Sequence, residues 1–351
     1  MITAHRTFTD AFLDSKRLSG DPETDRFIDS VFREPGQKDV LQFWLKNAAG
    51  NENIYALAEK FPDASFIAEA NHLPHWADTR LMEVGSVFFS RHSESIMSLL
   101  GLLSLPYCYT AANGAMVLYL SERIRKETTK RLFETALFVW HVMAPNAFQG
   151  EGKAFTEILK VRTMHAAIRY YTLQSGKWQE SWGLPINQED MAGTNLSFSL
   201  IVVRGLRLLG ISIREEEQEA FLHLWNVIGY LTGLEEDLIA ESPKIAQQLD
   251  RAISKRQFRP SDHGRELTSS LTTHILSVNK SKATATDILG LMRYLLGREV
   301  SEQLGLTVPE LPAYKVTLIR TVNLFRGLLP KGDPAQAYHK AYRAFRSQKP
   351  V

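Results

Sequence analysis

Apolar side chains recur at three- and four-residue spacing along almost the whole chain. The pattern runs through Val40–Leu45, Ile54–Phe61, Ser93–Leu103, Lys130–Met143, Ala154–Leu173, Leu196–Leu209, Glu217–Thr232, Ile245–Ile253, Ala283–Leu296, Val316–Leu329 and Gln336–Phe345. Period-two alternation between tight turns is scarce, so the spacing predicts an all-α fold. With 351 residues, 44% hydrophobic and 23% charged, the chain is expected to form a single large helical domain that buries a core and still encloses a ligand cavity. No internal repeat or composition break divides it. The expected organisation is an N-terminal helical extension over 1–73, a helical core over 74–254, a polar connection or lid over 255–286, and C-terminal helices over 287–351.

Punctuation agrees with helices. Ser181-Trp182-Gly183-Leu184-Pro185 breaks the chain, and Asn187-Gln188-Glu189-Asp190 reads as a cap with an acidic first turn. Gly210 closes one helix and Glu215-Glu216-Glu217 opens the next. Asn113-Gly114 fits a helix-to-helix turn better than a hairpin, given the alanines beside it. The final residues from Lys331 are basic and weakly amphipathic.

Several chemistries are excluded. A net charge of +2 gives no global field for nucleic acid. The single cysteine, Cys108, rules out an intrachain disulfide and a Cys-rich metal site, and it reads as a small core hydrophobe. There is no phosphate-binding loop, dinucleotide fingerprint, His-Glu-x-x-His or nucleophile elbow. Glu219 and His223, at i+4, do not make the paired Glu-x-x-His of a di-iron bundle and read as a local helix pair. No secretion signal or membrane-spanning run appears, so the expected compartment is the cytoplasm, with no stable membrane insertion.

The segment Val161–Tyr171 places one histidine between two arginines. Arg162 and Arg169, at i−3 and i+4 from His165, lie about 60° and 40° round the helix from it, on one stripe. A neutral imidazole flanked by fixed cations suits an anionic cofactor that needs an axial nitrogen ligand. Haem is one: its iron takes the imidazole and its carboxylate arms take the guanidiniums. The alternative is a core histidine beside solvated arginines.

Arg131, Glu134 and Thr135 share a second helix face at i, i+3 and i+4, with Phe133, Leu137, Phe138 and Trp140 supplying the apolar remainder. In an apolar pocket such a trio orients oxygen and moves a proton. On a surface it is only an ion pair with Thr135 bonded back to its helix. Asp190 or Glu189 is placed to bind Arg162 or Arg169, or to fix the His165 Nδ1 proton, besides capping its own helix. His72 and His75 in a loop, His141 and His223 read as packing or surface residues.

Three segments in order resemble one family: Lys130–Ala136, Val161–Tyr171, and Leu184–Thr194 followed by Leu196-Ser197-Phe198. Leu105-Pro106-Tyr107, Asn113-Gly114-Ala115 and Trp225–Gly233 echo it. Together they resemble the catalytic domain of the rubber oxygenases (latex clearing proteins) and MpaB-like oxygenases, over roughly Pro74 to Leu238. The resemblance implies a globin-like helical core around haem b, with His165 as proximal iron ligand and Arg162 and Arg169 flanking it. It places Arg131 and Thr135 on the distal helix. Glu134 stands where the rubber-cleaving members carry lysine, which puts the rubber-type distal arrangement in doubt.

The leading expectation is therefore a haem-dependent oxygenase acting with O2 on a hydrophobic, isoprenoid or terpenoid-like substrate. The alternatives are a haem-binding sensor or carrier without turnover, and a cofactor-free helical scaffold.

Overall fold

The computed structural model describes residues 7–121, 127–279, 281–328 and 332–349. Readings that fall on Met1–Arg6, Leu329 or Lys331 lie outside them. Among the described residues there is no β-strand, only an isolated antiparallel bridge between Ala111 and Phe258.

The N-terminal region forms five helices: α1 (Asp10–Arg17), α2 (Pro22–Arg33), α3 (Gln37–Asn47), α4 (Asn53–Lys60) and α5 (Ser65–Ala68). Asp21 starts α2 by accepting the Thr24 N–H, with Pro22 in the first turn where no donor is needed. Their apolar faces (Ile28, Val31, Leu41, Ile54, Ile67) form a cluster that is completed by Phe155, Leu159 and Ala166 from a later helix. Helices α2 to α5 therefore share one apolar cluster with that later helix.

The core follows as α6 (Thr79–Leu99), α7 (Leu105–Thr110), α8 (Ala112–Leu120), α9 (Thr128–Val142), α10 (Ala154–Gln174), α11 (Gln188–Phe198), α12 (Leu200–Leu208) and α13 (Glu215–Leu231). The pair α6–α13 is its spine. Gly85 lets them touch, because a Cβ there would meet the Ala220 carbonyl oxygen at 2.7 Å. A π-helical turn, Leu100–Ser104, joins α6 to α7. It lies just before Pro106, which has no N–H for the regular ladder. Asn113-Gly114 falls in the first turn of α8, after a break at Ala111 between helices.

The chain ends with α14 (Pro243–Gln257), α15 (Asp262–Val278), α16 (Ala285–Leu296), α17 (Arg298–Gln303), α18 (Ala313–Leu328) and α19 (Pro334–Arg346). Two expectations are corrected here. The polar stretch 255–286 is not an irregular lid: most of it is α15, capped by Ser261, with Leu267 and Leu271 buried. Its apolar stripe is only one residue per turn wide, and serines and threonines mask it. The last helix is more amphipathic than its composition suggests. Tyr338 is buried, and Tyr338, Tyr342 and Phe345 pack on Trp140 at centroid distances of 5.3, 5.7 and 5.9 Å.

The helix α10 occupies the seam of this fold. Phe155, Leu159 and Ala166 belong to the N-terminal cluster, while Ala154 and Ile158 belong to the main core. What α10 carries between those faces is held at the centre of the molecule.

Candidate active site

His165 sits just past the middle of α10. Its Nδ1 is buried and has no hydrogen-bond partner, yet the residue keeps part of its surface. The accessible part of the ring therefore includes Nε2. Burial, then the positive charge of Arg169, push its pKa down to about 3; Asp21 opposes this, and Arg131 adds a smaller push downward. The imidazole is neutral at physiological pH, with a lone pair and no protein partner, which is the state a metal ligand needs.

The charge of Arg131 on α9 reaches His165 on α10. Arg131 also acts on Tyr109 of α7, whose hydroxyl is buried and unpartnered. Every residue from Arg131 to Phe138 is partly exposed, on all sides of α9. A helix packed on a solid core would alternate buried and exposed faces; this stretch of α9 does not.

The polar face of α9 is organised as an ion pair. Arg131 Nη1 lies 3.2 Å from Glu134 Oε2, and Thr135 Oγ1 donates to the Arg131 carbonyl at 3.0 Å. Both groups of the pair are partly exposed, so this is the local helix pair the sequence held as one of two readings.

The arginines beside His165, Arg169 buried and Arg162 half-buried, are matched by acids that sequence reasoning missed. Arg162 binds Asp21 through Nε (2.6 Å) and Nη2 (3.1 Å). Burial alone would raise the Asp21 carboxyl, but Arg162 outweighs it and holds the group below the ordinary range. Arg169 binds Asp25 Oδ1 through Nε (2.7 Å) and the Ile186 carbonyl through Nη1 (3.2 Å), and its Nη2 is buried without a partner. Burial raises Asp25, with Arg169 opposing it. The sequence signal was present: Asp21 and Asp25 are i, i+4 on one face of α2. The two also cap α2 and supply its acidic first turn, local roles that carry no sign of a distant arginine.

The expected link from Asp190 to this stripe is not made. Asp190 pairs with Arg17 at 3.0 Å, and Asn187 Oδ1 accepts its N–H at 3.0 Å. Glu189, fully buried, accepts from Arg17 (3.1 Å), Arg256 (2.9 Å) and Gln257 (2.9 Å). These acids clamp α1, α11 and α14 together rather than orienting His165. The capping role of Asn187 is as expected. His141 lies between Tyr342 (2.9 Å) and Glu157 (3.6 Å), a packing site. His72 and His75 line a cleft of about 600 Å³ that also touches Arg162 and Asp21, and no group of three or more His, Cys, Asp or Glu among the described residues is placed to hold a metal. Burial pushes the Cys108 thiol up to about 11, so it is no thiolate nucleophile.

Residues 92–327 match the family model described as ER-bound oxygenase mpaB/B'/Rubber oxygenase, catalytic domain. The chain belongs to this family. The matched span runs from α6 to α18 and contains α9 and α10 whole. The rubber oxygenase of Streptomyces sp. (strain K30) is 25% identical over 317 residues, covering 88% of this chain and 77% of that protein. A structure of latex clearing protein LCP in the closed state superposes with a TM-score of 0.75 at 22% identity, covering 93% of this chain and 90% of that one. That likeness establishes the helical fold. No helix among the described residues is long and apolar enough to cross a membrane.

Proposed function

We propose that this protein is a haem b-dependent oxygenase that acts with O2 on a hydrophobic substrate of isoprenoid or terpenoid type. The observation that carries the proposal is His165: a neutral, unpartnered imidazole with Nε2 open, deep in the catalytic domain of an oxygenase family.

The residues present fit a haem. His165 would bind the iron through Nε2. The unpartnered Nη2 of Arg169, one helical turn on, would donate to an anionic side arm. Arg162, with two of its nitrogens on Asp21, fixes the position of α10 against α2 instead of gripping the cofactor alone. When bound, haem iron supplies the activation of O2.

The chain's own part is positioning and polarity. Burial and two arginines keep His165 unprotonated, so the ligand needs no deprotonation. Arg131 adds positive charge felt at His165, with Glu134 holding its guanidinium on α9. The Thr135 hydroxyl, donating to the Arg131 carbonyl, turns its lone pairs outward as an acceptor. Leu105, Leu118, Leu132 and Phe138, partly buried apolar side chains on α7, α8 and α9, favour an apolar substrate over a charged one. The name of the Streptomyces relative points the same way, toward polyisoprene-like chains.

The pairing of Arg131 with Glu134 favours one other reading, a haem protein that binds its cofactor without turnover. The experiment is a visible spectrum of the purified protein, followed by incubation of the reduced protein with O2 and a diene. A Soret band with oxidised product supports the oxygenase. A Soret band without product selects the carrier or sensor. No band after reconstitution leaves the helical scaffold.

A further inference from the structure

Helix α18 presents a narrow edge to the body and a broad apolar face to solvent. Lys315, Val316, Ile319 and Asn323 are its half-buried residues. It is pinned by the Asn323 amide donating to the Leu209 carbonyl (2.9 Å) and by Lys315 on Asp287 (2.6 Å). It also crosses the Gly210 turn (φ 80°), where a Cβ would meet Arg320 Cα at 2.7 Å. On the opposite side Tyr314, Leu318 and Phe325 are 69%, 61% and 64% exposed, flanked by Val322 and Leu324. At about 100° per residue the first three fall within about 40° of one another, nearly opposite Asn323. A helix on a water-soluble surface has the reverse polarity.

Charge accompanies this face. From Ala313 onward the chain carries eight Lys and Arg against one Asp, while the whole chain nets only +2, so the basic excess is concentrated here. Beside α18 lies a cleft of about 480 Å³ lined by Arg204, Arg207, Lys244 and Arg320, with Asp250 as its acid. Asp250 accepts from the Tyr107 hydroxyl (2.9 Å), and Arg204 lies over the Tyr107 ring (5.1 Å). None of the four cations is in an ion pair among the described residues. Arg320 belongs both to the cleft and to the helix with the apolar face.

We propose that α18 and this cleft form a docking surface for an anionic phospholipid bilayer. Tyr314, Leu318 and Phe325 enter the boundary between headgroups and acyl chains, and the cleft takes a lipid phosphate. Apolar insertion combined with a basic rim is how interfacial helices bind. A second copy is disfavoured as occupant, because it would bring one basic surface against another.

The test is co-sedimentation of the full chain with vesicles of phosphatidylcholine alone and of phosphatidylcholine mixed with phosphatidylglycerol, at low and high salt. The wild type should sediment with the anionic vesicles and release as salt rises. The exposed double variant Leu318→Ser/Phe325→Ser should lose roughly tenfold or more in partitioning. Lys244→Ala and Arg320→Ala should each lose roughly fivefold, on anionic vesicles only. His165→Ala should sediment as wild type, which separates this surface from the haem proposal; all variants are checked for wild-type helicity. Equal binding to both vesicle types, or no effect of the double variant, overturns the proposal. So does inorganic phosphate binding to the cleft without vesicle binding, or a wild-type dimer that the double variant abolishes while vesicles are ignored.

Discussion

Arg162 lies bidentate on Asp21, Nε to Oδ2 at 2.6 Å and Nη2 to Oδ1 at 3.1 Å, and so joins the helix of His165 to the residue that caps α2. Two turns of α10 further on, Arg169 meets Asp25, one turn further on α2. The spacing of the acids on α2 thus tracks the spacing of the arginines on α10. Together they hold the N-terminal extension against the seam where His165 sits.

Removing one side of the first pair should be costly. Arg162→Ala leaves a nearly fully buried carboxylate uncompensated, which costs about 3–5 kcal/mol. Asp21→Asn in the same chain should recover much of that. Urea unfolding of the two single variants and the double variant checks it; additive losses would contradict the pairing.

The two arginines should differ toward haem. Arg169→Gln removes the buried donor without a partner and should weaken haem binding roughly 10- to 100-fold, the scale of a lost charge-assisted bond. Arg162→Ala combined with Asp21→Asn should bind haem within a few-fold of wild type. Titration of the apoproteins with haemin reads both; equal losses would return Arg162 to a direct cofactor role.

Acid should act through His165. Its folded-state pKa of about 3 lies below the ordinary 6.5, so the unfolded chain takes up a proton that the folded chain refuses. Its contribution to stability is complete above about pH 6.5 and is lost as pH falls from there toward 3. Between pH 7 and 5 that amounts to about 2 kcal/mol. The apoprotein of His165→Gln should lose that much less stability than wild type over the same interval, measured by denaturant unfolding at each pH. Parallel losses would place His165 in water.

Much of this was legible in the sequence, because helices announce themselves through periodicity. The stripe through Leu196–Leu209 and Glu217–Thr232 became α11 to α13, and Asn187 caps where its type and position say it should. What failed did so for physical reasons. A helix such as α15, with a one-residue-wide apolar edge, has little periodic signal against its serines and threonines. Long-range ion pairs have no signal at all: Asp190 is 28 positions from Arg162 and 173 from Arg17, and it binds Arg17. Asp21 and Asp25 cap and acidify the start of α2, a local role that gives no sign of their arginine partners on α10.

Glu134 offers a sharper test of mechanism. It is paired with Arg131 at 3.2 Å and partly exposed, so its carboxyl is engaged by a guanidinium rather than enclosed by apolar side chains. Glu134→Gln should leave turnover unchanged or raise it, since it releases Arg131, whose charge is felt at His165. A loss of roughly 100-fold, the scale of a missing proton donor, would make the carboxyl catalytic. The exposed pair itself should be worth less than about 1 kcal/mol of stability.

The most direct test of the central claim is the visible spectrum of wild type and His165→Ala after reconstitution with haemin and removal of the excess. The account predicts a Soret band at one haem per chain for the wild type, and its loss in the variant while far-ultraviolet helicity is unchanged. A wild type that takes up no haem, or a variant that keeps the wild-type band and stoichiometry, would contradict it.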